Sequence, residues 1–272
     1  MKLQELIRQV YYEPSLILPA SHASIRQLLE SRLGDGTVIA REPGKDWCGE
    51  EVEVEQAELI EGIGHIPING AIGFKLDPFE RGSGAVDTRD VMDEIEQFEH
   101  DDDCRAIFFE VGSPGGMVTG TPELGERVRQ IEKPCMAFTD DLMCSAAYWA
   151  MAGCDAIYAT RTASVGSIGV YLPVYDESKR YEKAGIHVEL IKAGKLKGIG
   201  FPGTILSEAA REHLQERVNK IYTEFKSHVR TCRGESIADS VMQGQTFYGQ
   251  EAESNGLIDG VVKNKSEVLE ML

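Results

Sequence analysis

The hydrophobic residues along the chain follow two spacings, one typical of short buried strands and one typical of amphipathic helices. Compact apolar runs predict strands, and apolar residues three and four apart, opposite charged ones, predict helices. The predicted strands cover 63–68, 105–111, 135–139, 155–160, 169–174, 188–192 and 257–262. The predicted helices cover 87–100, 121–132, 146–152, 176–183, 207–231 and 250–255. Because strands and helices alternate, the pattern predicts an α/β fold with a mainly parallel sheet and right-handed crossovers.

The first 55 residues stand apart from this pattern. Residues 24–33 favour a short amphipathic helix, and residues 34–55 are polar and acidic, as in a loop or linker. The apolar pattern of the core begins near Ala57. We therefore predict a peripheral N-terminal arm and linker over residues 1–55 and a single domain over residues 56–272.

The net charge of the chain excludes two classes of binding partner. The formal net charge is −17, from 45 acidic and 28 basic residues, which argues against binding to nucleic acid or to an anionic membrane surface. The N-terminus lacks the pattern of a signal peptide, and no apolar run reaches the 18 residues of a membrane span. We expect a cytoplasmic protein without a membrane anchor, a metal or a cofactor.

The six cysteines form no C-x-x-C pair, and most lie within predicted strands or helices. Buried free thiols in a reducing compartment are the simplest interpretation. They are Cys48, Cys104, Cys135, Cys144, Cys154 and Cys232.

One serine, Ser145, lies where the strand over 135–139 gives way to the helix over 146–152. A serine at such a corner can expose its hydroxyl as a nucleophile elbow does, although the G-x-S-x-G signature is absent. The alternative is a plain helix N-cap. Cys144 is a rival nucleophile, but no flanking histidine supports it.

Serine needs a base to take its proton, and the sequence leaves the base open. None of the histidines lies in a turn-like context; they are His22, His65, His100, His187, His213 and His228. A glycine-rich segment with three lysines, Lys192, Lys195 and Lys197, follows a predicted strand. A buried lysine can act as a general base, and a solvated basic loop is the alternative. The turn over 112–116 has glycines that let backbone N–H groups face a ligand.

Taken in order, these motifs resemble the signal peptide peptidase A family of serine peptidases. The similarity is strongest to its soluble phage branch, the capsid maturation (prohead) proteases. The matching motifs cover 113–116, 141–148, 166–170, 193–200, 248–252 and 256–259. The resemblance implies a Clp protease/crotonase-like fold, a superhelix of repeated ββα units.

The resemblance also implies a role for particular residues. Ser145 matches the nucleophile, and Lys197, 52 residues later (197 − 145), matches the general base. Lys192 and Lys195 do not fall on that position. Further matches are Ser167, which orients the lysine, the oxyanion-hole donors Gly116 and Ala146, and the substrate-binding residues Gly115 and Tyr148.

Three departures from the family pattern bear on function. Many members have Ser-Gly-Gly where this chain has Ser145-Ala146-Ala147, which narrows the space beside the nucleophile. The membrane anchor of some members is not found, and phage members often carry a scaffold segment after the protease, whereas this sequence stops at Leu272.

The resemblance predicts an endopeptidase with a Ser-Lys dyad that processes capsid or scaffold proteins. Family members form closed homo-oligomers with sites near subunit interfaces, and some take serine and lysine from neighbouring subunits. The expected location is the host cytoplasm or the prohead interior. The alternatives are a bacterial housekeeping peptidase of this family, an inactive scaffold or capsid protein, and a crotonase-type acyl-CoA enzyme.

Overall fold

A computed structural model describes residues 13–34, 56–82 and 84–272. The strands in chain order are β1 (Ser15–Ile17), β2 (Glu58–Ile60), β3 (Ile63–Asn69), β4 (Ile72–Gly73), β5 (Val86–Asp87), β6 (Ala106–Gly112), β7 (Gly115–Met117), β8 (Cys135–Thr139), β9 (Leu142–Cys144), β10 (Ala156–Thr160), β11 (Ser164–Gly166), β12 (Thr246–Tyr248) and β13 (Gly260–Val262). They form three sheets in the described residues, ordered β13-β10-β8-β6-β3-β2, β1-β7-β4-β5 and β12-β11-β9.

Helices connect these strands and cover the sheets. In chain order they are α1 (Pro19–Gly34), α2 (Pro78–Gly82), α3 (Thr88–His100), α4 (Thr121–Arg129), α5 (Ala146–Met151), α6 (Ser178–Lys183), α7 (Glu208–Arg233), α8 (Gly249–Ser254) and α9 (Lys265–Leu269). A short 3-10 helix covers Asp239–Val241. Among the described residues, no helix is both long and apolar enough to span a membrane.

Strand, strand and helix recur along the chain. The units β6-β7-α4 and β8-β9-α5 each place their first strand in the six-stranded sheet and their second strand in a smaller sheet. In the six-stranded sheet, β3, β6, β8, β10 and β13 run parallel, and β2 pairs antiparallel to β3. The predicted α/β class, with a mainly parallel sheet and repeated ββα units, is confirmed.

The helix α5 lies at the centre of the core, because all six of its residues are buried. Its Trp149 stacks on Phe225 of α7, with ring centroids 4.5 Å apart. The residue before the helix, Ser145, is therefore held by a rigid, fully packed element.

Two predicted strands are wrong. Residues 169–174 and 188–192 form no strand, apart from one isolated bridge at Tyr171. The apolar side chains of the second segment instead face glycines of the same excursion: a Cβ on Gly198 would overlap Leu190, and one on Gly203 would lie 2.8 Å from Val188. The apolar residues of 188–192 therefore pack within their own part of the chain and not in a sheet.

The motif Thr121-Pro122-Glu123 predicts threonine as the N-cap of its helix, and this is wrong. Thr121 is the first helical residue, and Gly120, with φ of 88°, is the N-cap. The Thr121 hydroxyl donates to Met117 O at 2.7 Å instead of capping the helix.

The N-terminal arm falls partly outside the described residues, since residues 1–12 and all but the first residue of the predicted linker over 34–55 are not among them. The described part contains the predicted helix, which spans Pro19–Gly34. It also contains β1, whose three residues are buried in a sheet. That strand is not peripheral, while the domain boundary near residue 55 stays a prediction.

Candidate active site

Ser145 occupies a strained corner between β9 and α5. Its φ and ψ are 55° and −113°, a region that residues with a side chain rarely adopt. Two backbone hydrogen bonds fix it: its N–H donates to Gly166 O, and its carbonyl accepts from Trp149 N–H, both at 2.8 Å. Its side chain makes no cap hydrogen bond. The hydroxyl is thus not used for capping, and the backbone has the strained turn of a nucleophile elbow.

A second serine, Ser167, follows the neighbouring strand β11 at the same end as Ser145 follows β9. β9 and β11 are parallel, and Cys144 is the register partner of Gly166, so Ser145 and Ser167 each follow the end of paired strands. Ser167 also has a positive φ, of 53°. Both serines are nearly buried, at 1% and 6% exposure. The structure therefore places the predicted nucleophile and the predicted orienting serine side by side.

The glycine turn after β6 lies against Ser145. A Cβ on Gly115, whose φ is 97°, would overlap Leu16 O and would lie 2.9 Å from Ser145 Cβ. The turn is tied to β9, because Ser113 N–H donates to Leu142 O and Cys144 N–H donates to Ser113 O. Only glycine fits at this approach, which explains the residue type that the sequence shows.

Two backbone N–H groups flank this space. The Ala146 N–H donates to no acceptor among the residues that the structure describes. Gly116 lies in β7 next to Gly115, and a Cβ on it would overlap the Ile72 carbonyl. Both residues were predicted as oxyanion-hole donors, and both lie at the Ser145 corner.

Tyr148, predicted to bind substrate, has its side chain in the core. Its side chain is fully buried, and its hydroxyl donates to Leu257 O at 2.8 Å. Burial raises the pKa of this phenol well above its usual value. A side chain enclosed in this way packs the core and does not reach a substrate, so the substrate-binding prediction finds no support here.

The structure does not bring Lys197 to Ser145. Lys197 is exposed, and no hydrogen bond of the described residues joins its ammonium group to Ser145 or Ser167. It lies in the excursion over residues 172–206, called the 172–206 arm below. Lys192 on the same arm donates to Lys195 O at 3.1 Å.

The rival nucleophile is chemically unsuited. Cys144 is fully buried, and its thiol donates to Ser164 O at 3.3 Å. Burial raises the pKa of Cys144 to about 12. Only the thiolate attacks carbonyl carbon efficiently, and at neutral pH this group remains a thiol.

The histidines offer no clear base. The ring of His22 bonds the Tyr171 hydroxyl at 2.8 Å, and that of His228 packs on Trp149. His100 bonds the Glu96 carbonyl at the end of its own helix. Within the described ranges no group of three or more metal-ligating side chains occurs.

A strained serine at a strand-to-helix corner, next to a glycine turn and on a ββα scaffold, is the kind of site found in hydrolases that form acyl-enzyme intermediates. Residues 127–272 match the model of peptidase family S49, which is more than half of the 272 residues. The chain belongs to peptidase family S49. The predicted resemblance to the signal peptide peptidase A family is thereby confirmed.

Two of the relatives in sequence are named as proteases. The chain is 33% identical over 179 residues to a protein of Methanocaldococcus jannaschii named as a putative protease, covering 64% of this chain and 58% of that one. It is 25% identical over 287 residues to the capsid assembly protease C of Escherichia phage lambda, covering 99% of this chain and 65% of that one. The chain thus spans less than two thirds of the length of either relative. Among solved structures it is similar to a ClpP1 mutant from Listeria monocytogenes, with a TM-score of 0.49, 11% identity, and coverage of 74% of this chain and 92% of that one.

Proposed function

We propose that this chain is a serine endopeptidase, with Ser145 as nucleophile and Lys197 as general base. The observation that carries the proposal is the strained Ser145 corner, whose hydroxyl is not used as a helix cap. A protein keeps such backbone strain only where surrounding structure enforces it, and functional sites are where it concentrates. Membership of a peptidase family supports this chemistry.

In the proposed reaction, the neutral amine of Lys197 takes the hydroxyl proton as Ser145 Oγ attacks the substrate carbonyl. The carbonyl electrons move onto oxygen, and the N–H groups of Gly116 and Ala146 stabilise the oxyanion. Collapse of this intermediate breaks the peptide bond, and the lysine returns the proton to the leaving amine. Water then hydrolyses the acyl-enzyme with the same lysine as base. The Ser167 hydroxyl, beside Ser145, orients the lysine.

The exposure of Lys197 fits a dyad assembled between subunits. The 172–206 arm exposes large apolar side chains, among them Ile191 at 94%, Ile205 at 75% and Ile186 at 53%. Apolar surface of this kind marks an interface. In a homo-oligomer, the arm of one subunit would carry Lys197 to the Ser145 corner of its neighbour. The amine would lose contact with water there, which lowers a lysine pKa toward the range where it works as a base.

Labelling with a fluorophosphonate probe tests the nucleophile. Ser145→Ala is expected to abolish labelling and casein cleavage while the protein stays folded. Ser254→Ala, on the exposed face of α8, is the matched control and should label as the unmodified chain does. Labelling that survives Ser145→Ala but disappears in Cys144→Ala would overturn the assignment.

Subunit mixing tests the shared dyad. Ser145→Ala and Lys197→Ala are each expected to be inactive, and their mixture should regain part of the activity because some interfaces combine both intact groups. Lys195→Ala, on the same arm, is the control and should remain active. A fully active monomer by light scattering would contradict the oligomer.

We also propose capsid or scaffold proteins as substrates, within the host cytoplasm or prohead. The support is the alignment with the phage lambda capsid assembly protease across 99% of this chain. A housekeeping role is the second candidate, since the chain is also 26% identical over 219 residues to a putative signal peptide peptidase SppA of Enterococcus faecium. Co-expression with a scaffold protein should give fragments that depend on Ser145. Cleavage of exported precursors and not of scaffold would favour the housekeeping role.

A further inference from the structure

The strand β1 lies in a slot between two other backbone segments. On one side it pairs antiparallel with β7, and Ser15, Leu16 and Ile17 face Met117, Gly116 and Gly115. On the other side Ser15 exchanges two hydrogen bonds with Tyr171: Ser15 N–H donates to Tyr171 O at 2.8 Å, and Tyr171 N–H donates to Ser15 O at 3.3 Å. An extended segment held from both sides is how a peptide is bound by β-strand addition.

The register places one carbonyl at the predicted oxyanion hole. Leu18 N–H donates to Pro114 O at 2.9 Å, so Leu18 and Pro114 are a hydrogen-bonded pair. Antiparallel ladders alternate between hydrogen-bonded and non-hydrogen-bonded pairs. The next hydrogen-bonded pair is therefore Leu16 and Gly116, in which the Gly116 N–H donates to Leu16 O. That N–H is the predicted oxyanion donor.

The same carbonyl lies next to the nucleophile. A Cβ on Gly115 would overlap Leu16 O and lie 2.9 Å from Ser145 Cβ, so the two groups flank one carbon-sized space. The Leu16 side chain is fully buried, and Ser145 is 1% exposed. With β1 in place, no second peptide can reach the hydroxyl.

Contacts on both flanks of β1 hold it in the slot. After it, His22 on α1 bonds the Tyr171 hydroxyl at 2.8 Å, and Arg26 lies 3.8 Å from the centre of the Tyr175 ring. Before it, Glu13 forms an ion pair with Arg217 of α7 at 3.1 Å. The Arg26 and Glu13 contacts are exposed or half-buried, and each contributes little, whereas His22 is only 6% exposed. Withdrawal of β1 would break these contacts and its pairing with β7, and it would expose Leu16.

We infer that residues 15–18 are an internal pseudosubstrate, which fills the substrate slot with Leu16 in the place of the residue whose carbonyl is attacked. The inference rests on the proposed function, since it takes Ser145 as the nucleophile. It gives the site two properties. The site is blocked while β1 occupies the slot, so the activity of the unmodified chain reflects the fraction of molecules in which β1 has withdrawn. The slot accepts extended protein segments with an aliphatic side chain at the position of Leu16.

A reversible lock tests the inference on the full chain. Ser15 and Met117 face each other as a non-hydrogen-bonded pair, a geometry whose close Cα atoms suit a disulfide. In the double variant Ser15→Cys and Met117→Cys, oxidation should reduce the rate of fluorophosphonate labelling at least about tenfold, and dithiothreitol should restore it. The two single variants, treated alike, control for oxidation of native cysteines.

The converse variant opens the slot. Leu16→Pro removes the N–H that would donate to Gly116 O and the buried leucine side chain. The labelling rate should rise at least about tenfold, which corresponds to about 1.4 kcal/mol. Ala20→Pro is the matched control, because proline is tolerated in the first turn of α1, and its rate should not change.

The outcomes separate this inference from the proposed function. Equal labelling of the unmodified chain, the oxidised double variant and Leu16→Pro would overturn the pseudosubstrate and leave Ser145 as nucleophile. Absence of labelling in every form, Leu16→Pro and reduced protein included, would overturn the nucleophile itself. A peptide substrate with leucine at the attacked position should be cleaved faster by Leu16→Pro than one with aspartate there, and the reverse preference would contradict the aliphatic subsite.

Discussion

The strain at Ser145 makes a prediction that does not depend on activity. Replacing Ser145 with glycine should stabilise the fold, because glycine adopts a φ of 55° with a ψ of −113° at little steric cost. Relief of the disfavoured backbone conformation should raise the free energy of unfolding by about 1–3 kcal/mol. Glycine also makes the unfolded chain more flexible, which lowers the free energy of unfolding by about 0.5–1 kcal/mol. The net expectation is a gain of about 1 kcal/mol.

Ser145→Ala separates the strain from the hydroxyl. Alanine keeps the Cβ and therefore the strain, and it removes a hydroxyl that makes no cap hydrogen bond. Its free energy of unfolding should stay close to that of the unmodified chain. The glycine variant should exceed the alanine variant by about 1–2 kcal/mol. Both variants should be inactive.

Urea unfolding followed by tryptophan fluorescence measures these differences. A gain of 1 kcal/mol corresponds to about 2–4 °C in Tm for a chain of this size. Ser164→Gly, in the adjoining strand β11, is the matched control, since Ser164 has no positive φ and glycine should destabilise it by about 0.5–1 kcal/mol. If Ser145→Gly destabilises the fold as much as Ser164→Gly does, the strained corner is refuted.

Three further substitutions test the surroundings of the site. Gly115→Ala should cost about 1–3 kcal/mol more than Gly84→Ala in urea unfolding, because both have positive φ but only the first would meet backbone atoms; equal costs would contradict the close approach. Burial alone would raise the pKa of Asp87, but hydrogen bonds from the Arg89 side chain and from backbone N–H groups lower it. The ionised carboxylate therefore stabilises the fold, and this stabilisation is lost as the pH falls through the lowered pKa. The Tm of Asp87→Asn should lie below that of the unmodified chain at pH 7, and the difference should shrink in acid. Burial and nearby acidic groups raise the pKa of Glu94 to about 7. Ionisation of Glu94 therefore destabilises the fold as the pH rises toward 7. Glu94→Gln should have a higher Tm than the unmodified chain, and the difference should be larger at pH 8 than at pH 5.

The sequence predicted those elements whose signal is local. The strand Cys135–Thr139 was predicted with its observed bounds, and the helix predicted over 207–231 spans Glu208–Arg233. Their signals are an unbroken apolar run and a 3.6-residue stripe, which need no knowledge of neighbours. The strained residue itself lay within the predicted strand-to-helix corner.

The elements that the sequence did not reveal depend on contacts distant in the chain. The strands β1, β9 and β11 have three residues each, too few to show any period. Their pairing joins segments up to about a hundred residues apart, as in Leu16 with Gly116. The four residues between Pro14 and Pro19 look like part of a loop until their partner strand is known. The occupied slot could therefore not be predicted from the sequence.

The two residues of the proposed dyad lie in very different surroundings. Ser145 sits in a rigid frame set by the chain itself, with a backbone hydrogen bond to Gly166 and the fully buried helix α5 behind it. Lys197 lies on the 172–206 arm, whose apolar side chains face solvent. Burial of these side chains against another protein surface would be favourable. A nucleophile built within the subunit and a base that needs a neighbour would make hydrolysis conditional on assembly. The strand β1 would add a second condition at the same serine, so that neither an isolated subunit nor a closed slot could cleave protein.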